Sequence, residues 1–194
     1  MKSLIYDTLL LVSEEINTFL DPGNPQKPLM LGNISMFNDG DEFTASLKDK
    51  LIVSLVNIEE DRIAKTPDNF IRQGERTIYR NPPLHFNITL IFSATHAYDR
   101  ALPLIEGVIR FFQVKSVFDI TNTTSLDEEV SRVVFDLVSL NLEQMHQLWT
   151  SLGGKYIPSV IFKMRMMTID EKTDKGNAPA IIEIVIDDKQ KNAV

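Results

Sequence analysis

The alternation in residues 84–95, LHFNITLIFSAT, constrains this chain more than any other stretch. Successive side chains of an extended strand point to opposite faces. Leu84, Phe86, Ile88, Leu90, Phe92 and Ala94 therefore share one face, and His85, Asn87, Thr89, Ile91, Ser93 and Thr95 share the other. So long an unbroken apolar row predicts a strand with one face buried. The apolar period then lengthens: Ala101, Ile105, Val108 and Phe112 fall on one helical stripe, with Ile109 beside it. Pro103 would break a helix interior, so the reading starts the helix with Asp99 as N-cap and places Pro103 in the first turn.

Other segments supply partners for that strand. Residues 3–20 read as an amphipathic helix, with Leu4, Leu11, Val12, Ile16, Phe19 and Leu20 inward and Glu14, Glu15 and Asn17 toward water. DPGNP at 21–25 stops it. Residues 28–37 are a weak strand candidate, followed by a turn at 38–43. Residues 50–61 are β-branched and apolar on both faces, which predicts an interior strand covered on each side. The polar stretch 62–82 reads as a long loop or a protruding hairpin. Residues 130–140 and 156–169 are further strands. Between them, 141–154 is a helix with Asn141 as cap, Gln144 three positions on, and Leu142, Met145, Trp149 and Leu152 as its inward stripe. Gly153 and Gly154 end it. Strands interleaved with helices imply an α+β class: one domain over 1–170 with a mixed or antiparallel sheet and flanking helices. Residues 171–194 follow as a charged linker and a C-terminal β-arm, with the arm strand at 179–188.

The residues present no motif for chemistry. The chain has no cysteine, which removes disulfides, thiolate nucleophiles and cysteine-based zinc sites. His85 and His96 are an odd number of residues apart and His146 lies on a distant helix, so no convergent metal site is expected. The acidic run Asp39, Asp41 and Glu42 lacks the ligand spacing of a calcium loop and reads as a solvated turn. LGGKY at 152–156 is not a phosphate loop, because Tyr156 stands where Ser or Thr is needed and the order is helix then strand. There is no G-x-S-x-G elbow. No catalytic, cofactor or metal site is expected, and the chain is read as a non-enzyme.

Charge narrows the partners. Twenty Lys and Arg against 27 Asp and Glu leave a net charge of −7 over 194 residues, with no concentrated basic stretch, so nucleic acid is not an expected partner. Asp7 interrupts the first apolar run and no run reaches membrane-spanning length, so neither a signal peptide nor a membrane segment is expected and synthesis is placed in the cytoplasm. Ile182, Ile184 and Ile186 line one face of the arm strand. The strand either folds back as an edge of its own sheet or adds to the sheet of another subunit.

The segments NPPLHFNITLIFSATHAYDRALPLIEGVIRFFQVKSVF and NLEQMHQLWTSLGGKYIPSVIFKMRMMTID carry a resemblance. Over roughly residues 3–170 the chain resembles the N-terminal domain of a bacterial family associated with contractile injection systems of the antifeeding-prophage and Photorhabdus virulence cassette type. The resemblance implies a tail terminator or cap: a ring, expected to be hexameric, that ends the inner tube, holds the last sheath layer and catalyses nothing. Its partners would be further copies of itself, the sheath protein and the tube protein, within a particle that is released or membrane-anchored. Some relatives carry more material after this domain, and a role housed there is not expected of this chain. On this reading Ile182, Ile184 and Ile186 contact sheath, and Arg72, Arg76 and Arg80 contact the tube or a neighbouring subunit. The alternatives are an adaptor elsewhere in the particle, such as the baseplate, or a small cytosolic binding domain.

Overall fold

The computed structural model describes residues 3–23, 27–37, 42–61, 70–73, 76–79, 84–123, 126–127, 130, 132–169 and 176–179. In chain order they form α1 (Leu4–Leu20), β1 (Leu29–Leu31), a 3-10 turn (Ile34–Met36), α2 (Glu42–Leu47), β2 (Leu51–Glu60), β3 (Phe70–Gln73) and β4 (Arg76–Tyr79). Then come β5 (Leu84–Ala94), α3 (Tyr98–Val114), β6 (Val117–Asp119), β7 (Arg132–Val138), α4 (Leu142–Ser151), β8 (Ser159–Ile169) and β9 (Gly176–Pro179). Two compact units result, one of 1–64 with 84–169 and one of 65–83 with 170–194.

The first unit is an α+β layer around a six-stranded sheet of order β1-β2-β5-β8-β7-β6. β1 runs parallel to β2 and every other neighbour is antiparallel. The long strand β5 lies inside it, and its apolar row faces the core: Ile88, Leu90, Phe92 and Ala94 are buried against α1 and α3. Phe112 of α3 stacks on Phe135 of β7 at 4.7 Å between ring centroids and sits 4.4 Å from Phe162 of β8. These aromatic contacts bury large apolar area and fix how α3 lies on the sheet. The opposite face is covered at one end only, where Ile34, Leu47 and Trp149 close over Ile52, Ile91 and Ile161. That explains why this face of β2 is buried at Ile52 and Ser54 and turns polar and exposed further along, with Asn57 and Glu59.

Several local readings are corrected. α3 starts at Tyr98 with Ala97 as N-cap and no side-chain cap, so Asp99 is in the first turn and Pro103 lies inside the helix. The helix continues because Ala101, Ile105, Val108, Phe111 and Phe112 are all buried. On α1 the inward residues are Thr8, Leu9, Val12, Ser13, Ile16 and Asn17, whereas Phe19 is exposed. The inward stripe thus holds polar residues: Ser13 Oγ donates to Leu9 O of the same helix at 2.7 Å, and Asn17 takes its partner, Leu29, from outside the helix. Leu142 is 90% exposed, since it opens the first turn of α4 and only Met145, Leu148, Trp149 and Leu152 reach the sheet. α2 and β6 are additional short elements.

The capping box of α4 forms as read: Gln144 N donates to Asn141 Oδ1 at 2.8 Å, and Asn141 N to Gln144 Oε1 at 3.0 Å. At its other end Gly154 N donates to Trp149 O at 2.7 Å and Gly153 N to Thr150 O at 3.4 Å, the paired bonds of a Schellman turn. Gly153 and Gly154 have φ of 109° and 84°, which other residues rarely adopt.

The second unit holds a three-stranded antiparallel sheet of order β3-β4-β9. The 62–82 region therefore contains a hairpin, Phe70 pairing with Tyr79 and Gln73 with Arg76. Residues 170–178, expected to be linker, contribute most of β9, in which Gly176 pairs with Tyr79 and Pro179 with Arg76. The stretch from 180 onward, with most of the arm strand expected at 179–188, lies outside the described residues.

Candidate interaction surfaces

A sheet edge is the commonest place for one chain to add to another, because its outward N–H and C=O groups lack partners. In the first unit both edge strands are short, and an asparagine side chain meets each one. On β1 the groups of Leu29 that point away from β2 are taken by Asn17 of α1. Its Nδ2 donates to Leu29 O at 3.0 Å and its Oδ1 accepts from Leu29 N at 2.8 Å. On β6, Asn122 Nδ2 donates to Val117 O at 2.9 Å and its Oδ1 accepts from Asp119 N at 3.1 Å. A primary amide presents one donor and one acceptor side by side, as a strand would, so each ends the ladder at that point.

Lys115, just after α3, ties the β6 edge to α1. Its Nζ reaches Glu15 Oε2 at 2.6 Å and Thr123 Oγ1 at 3.0 Å, and sits 4.6 Å from the centre of the Phe118 ring. All three contacts are partly shielded from water, where charge pairing is stronger than on an open surface.

The uncovered part of the sheet face opposite α1 and α3 is polar and internally paired. Lys163 of β8 reaches across β5 to Glu59 of β2 at 2.8 Å, and Arg165 pairs with Asp136 of β7. The Lys163 ammonium holds the Glu59 carboxyl below its ordinary range, and hydrogen bonds from Thr121 do the same for Asp119. Apolar side chains are exposed elsewhere: Tyr98 (63%) and Leu102 (53%) on the outside of α3, and Leu55, Ile58 and Leu84 on the helix side of the sheet. Exposed aromatic and aliphatic side chains of this kind suit contact with other protein.

The described residues hold no group of three His, Cys, Asp or Glu placed for a metal, and no helix long and apolar enough to cross a membrane. His85 is half-buried on β5, His96 follows that strand, and His146 is exposed on α4. Burial, then the neighbouring Arg100, pushes the His96 imidazole below its ordinary range. Of the residues expected to touch partners, Arg72 lies on β3 and Arg76 on β4, opposite Thr77 and Gln73. Arg80, Ile182, Ile184 and Ile186, like Asp39 and Asp41, lie outside the described residues. The asparagine edge caps were not legible in the sequence: Asn17 read as solvent-facing, and only the fold brings Leu29 to it.

Residues 10–183 match the family described as the Pvc16 N-terminal domain, and the chain belongs to that family. No curated protein matches it in sequence. Among solved structures it is similar to the PVC sheath/tube terminator of an extracellular contractile injection system in the extended state. The TM-score is 0.64 at 11% identity, over 100% of this chain and 66% of that one. It is also similar to the cap of the anti-feeding prophage, a tube-terminating cap, with a TM-score of 0.59 at 11% identity over 95% of this chain and 61% of that one. The chain thus spans less than two thirds of the length of either. At that identity the likeness is one of fold.

Proposed function

We propose that this member of the Pvc16 N-terminal domain family is a structural cap of a contractile injection particle, forming a ring that ends the inner tube and holds the last sheath layer. The observation that carries this reading is the fold it shares, along its whole length, with a sheath/tube terminator. Helical polymers grow because each ring offers an unsatisfied surface to the next. A terminator matches that surface on one side and presents nothing equivalent on the other. A subunit whose six-stranded sheet has both its short edges met by asparagine amides fits that demand, since that sheet offers no ladder to continue at Leu29 of β1 or at Val117 and Asp119 of β6. Contacts of the first unit are then made through helix faces and exposed apolar side chains.

The ring is hexameric, no reaction is catalysed, and the partners are further copies of the chain, sheath protein and tube protein. Nucleic acid and membrane are not partners. The protein is made in the cytoplasm and joins a particle that is released or anchored at a membrane. Arg72, Arg76 and Arg80 face tube or neighbour. The strand carrying Ile182, Ile184 and Ile186 adds to terminal sheath subunits through backbone pairing, with its isoleucines setting register. The test is deletion of the chain from a producing cell, followed by imaging of particles. Tubes of uncontrolled length or with sheath detached at the distal end support the cap. Particles of unchanged length with intact ends sink it.

A further inference from the structure

The first unit contains a recess of about 300 Å³ where the end of α1, the turn before β2 and the start of α3 meet. Lys27, Lys48, Lys50, Arg100 and His96 are among the residues that line it. Lys27 is paired with Glu14. The acids in the lining are Asp21 and Asp49. Lys48, Lys50 and Arg100 make no ion pair among the described residues, so positive charge is in excess here on a chain of net charge −7.

The backbone that presents these cations is held in place. Asp49 adopts a φ of 53°, in the left-handed region, which turns the chain sharply between the two lysines. Thr95 stitches that turn to the end of β5. Its Oγ1 donates to Leu47 O at 2.6 Å and accepts from Lys50 N at 3.0 Å, while its N donates to Lys50 O at 2.9 Å. His96 and Arg100 follow on the same backbone. The 17-residue helix α3 starts two residues after His96 without a side-chain cap, so its positive end adds to the potential of the lysines and Arg100. Positive charge on a pre-set backbone in a concave site is the arrangement that binds compact anions.

We propose that this recess is an oxyanion site that receives one carboxylate or phosphate group through Lys48, Lys50 and Arg100. The inference is independent of the cap reading. On a protein partner the group would be the carboxylate of an acidic side chain. In solution it would come from free phosphate.

His96 reports occupancy, because it lines the recess and Arg100 and Lys50 help to hold its imidazole below the ordinary range, opposed by Asp49. A bound anion offsets those cations and moves the His96 titration upward. The experiment follows the His96 ring resonances of the full chain by NMR while inorganic phosphate, or in a second arm the capped dipeptide acetyl-Glu-Glu-amide, is added at constant ionic strength. A saturable upward shift with either probe is expected. It should be roughly tenfold weaker in the double variant K48Q/R100Q, both positions being exposed. Response to the dipeptide assigns the site to protein carboxylates, and response to phosphate alone assigns it to phosphate. No saturable shift with either probe, or an equal shift in the double variant, overturns the proposal. A missing shift would say nothing against the cap, whose test is particle length.

Discussion

Asn17 and Asn122 are the residues whose side chains most directly shape what this chain can join. Asn17 is buried, and its amide is paired with both outward groups of Leu29. Replacing it with Ala leaves a buried donor and acceptor unsatisfied, so N17A should lower unfolding stability by about 2–4 kcal/mol in urea titration. A loss under ~0.5 kcal/mol would mean water replaces the amide and the edge is not closed by it. His96 gives a second prediction, in pH. Its folded pKa is lowered by burial, so below about 6.5 the unfolded chain takes up the proton first and stability falls with falling pH. The contribution is complete above that pH and is lost on the way down to the folded value. Glu59 and Asp119, also lowered, contribute above the ordinary carboxylate range and lose that contribution as pH falls through their folded values. Between pH 7 and 5.5, H96N should therefore flatten the fall of the urea midpoint. Superimposable profiles would remove His96 as its cause.

Elements are held by a mixture of local and distant bonds, and α4 is the most local. Its capping box joins residues three apart and its terminal turn uses two glycines, so its limits follow from residues 141–154 alone. N141A should cost about 1 kcal/mol, and G153A about 1–2 kcal/mol because φ is 109° there, both read as shifts in thermal midpoint. β5 is also legible, because a period of two over so many residues leaves no other buried arrangement. α1 is different. Helical periodicity tells that one face is inward, but Leu9, Thr8, Ser13 and Asn17 are inward because β1 and α3 lie where they do. Gly107 of α3 shows the same dependence. A Cβ there would stand 2.3 Å from Leu20 Cδ2, so its lack of a side chain suits the approach of the end of α1, a partner nearly ninety positions away.

For the whole molecule, the division into two units decides how the arm can be tested. β9 uses Gly176–Pro179 to pair with β4, so a truncation must start after Pro179 to spare that sheet. Removing 180–194 should leave rings that still end the tube but no longer retain sheath, as seen by imaging and by co-purification of sheath protein. Sheath retained at the full-length level would dismiss the arm as its anchor. The sequence by itself determined the α+β class, the buried row of β5, the caps of α4 and the exclusion of cysteine chemistry. Each of these depends on residues close together in the chain, or on one residue type that is simply not there. Only the tertiary structure decided which strands lie at the edges, which asparagines meet them, how 176–179 pairs with the hairpin, and which cations share a recess. Those depend on backbone groups brought together from separate parts of the chain, and alternation and spacing carry no information about which distant segment will arrive.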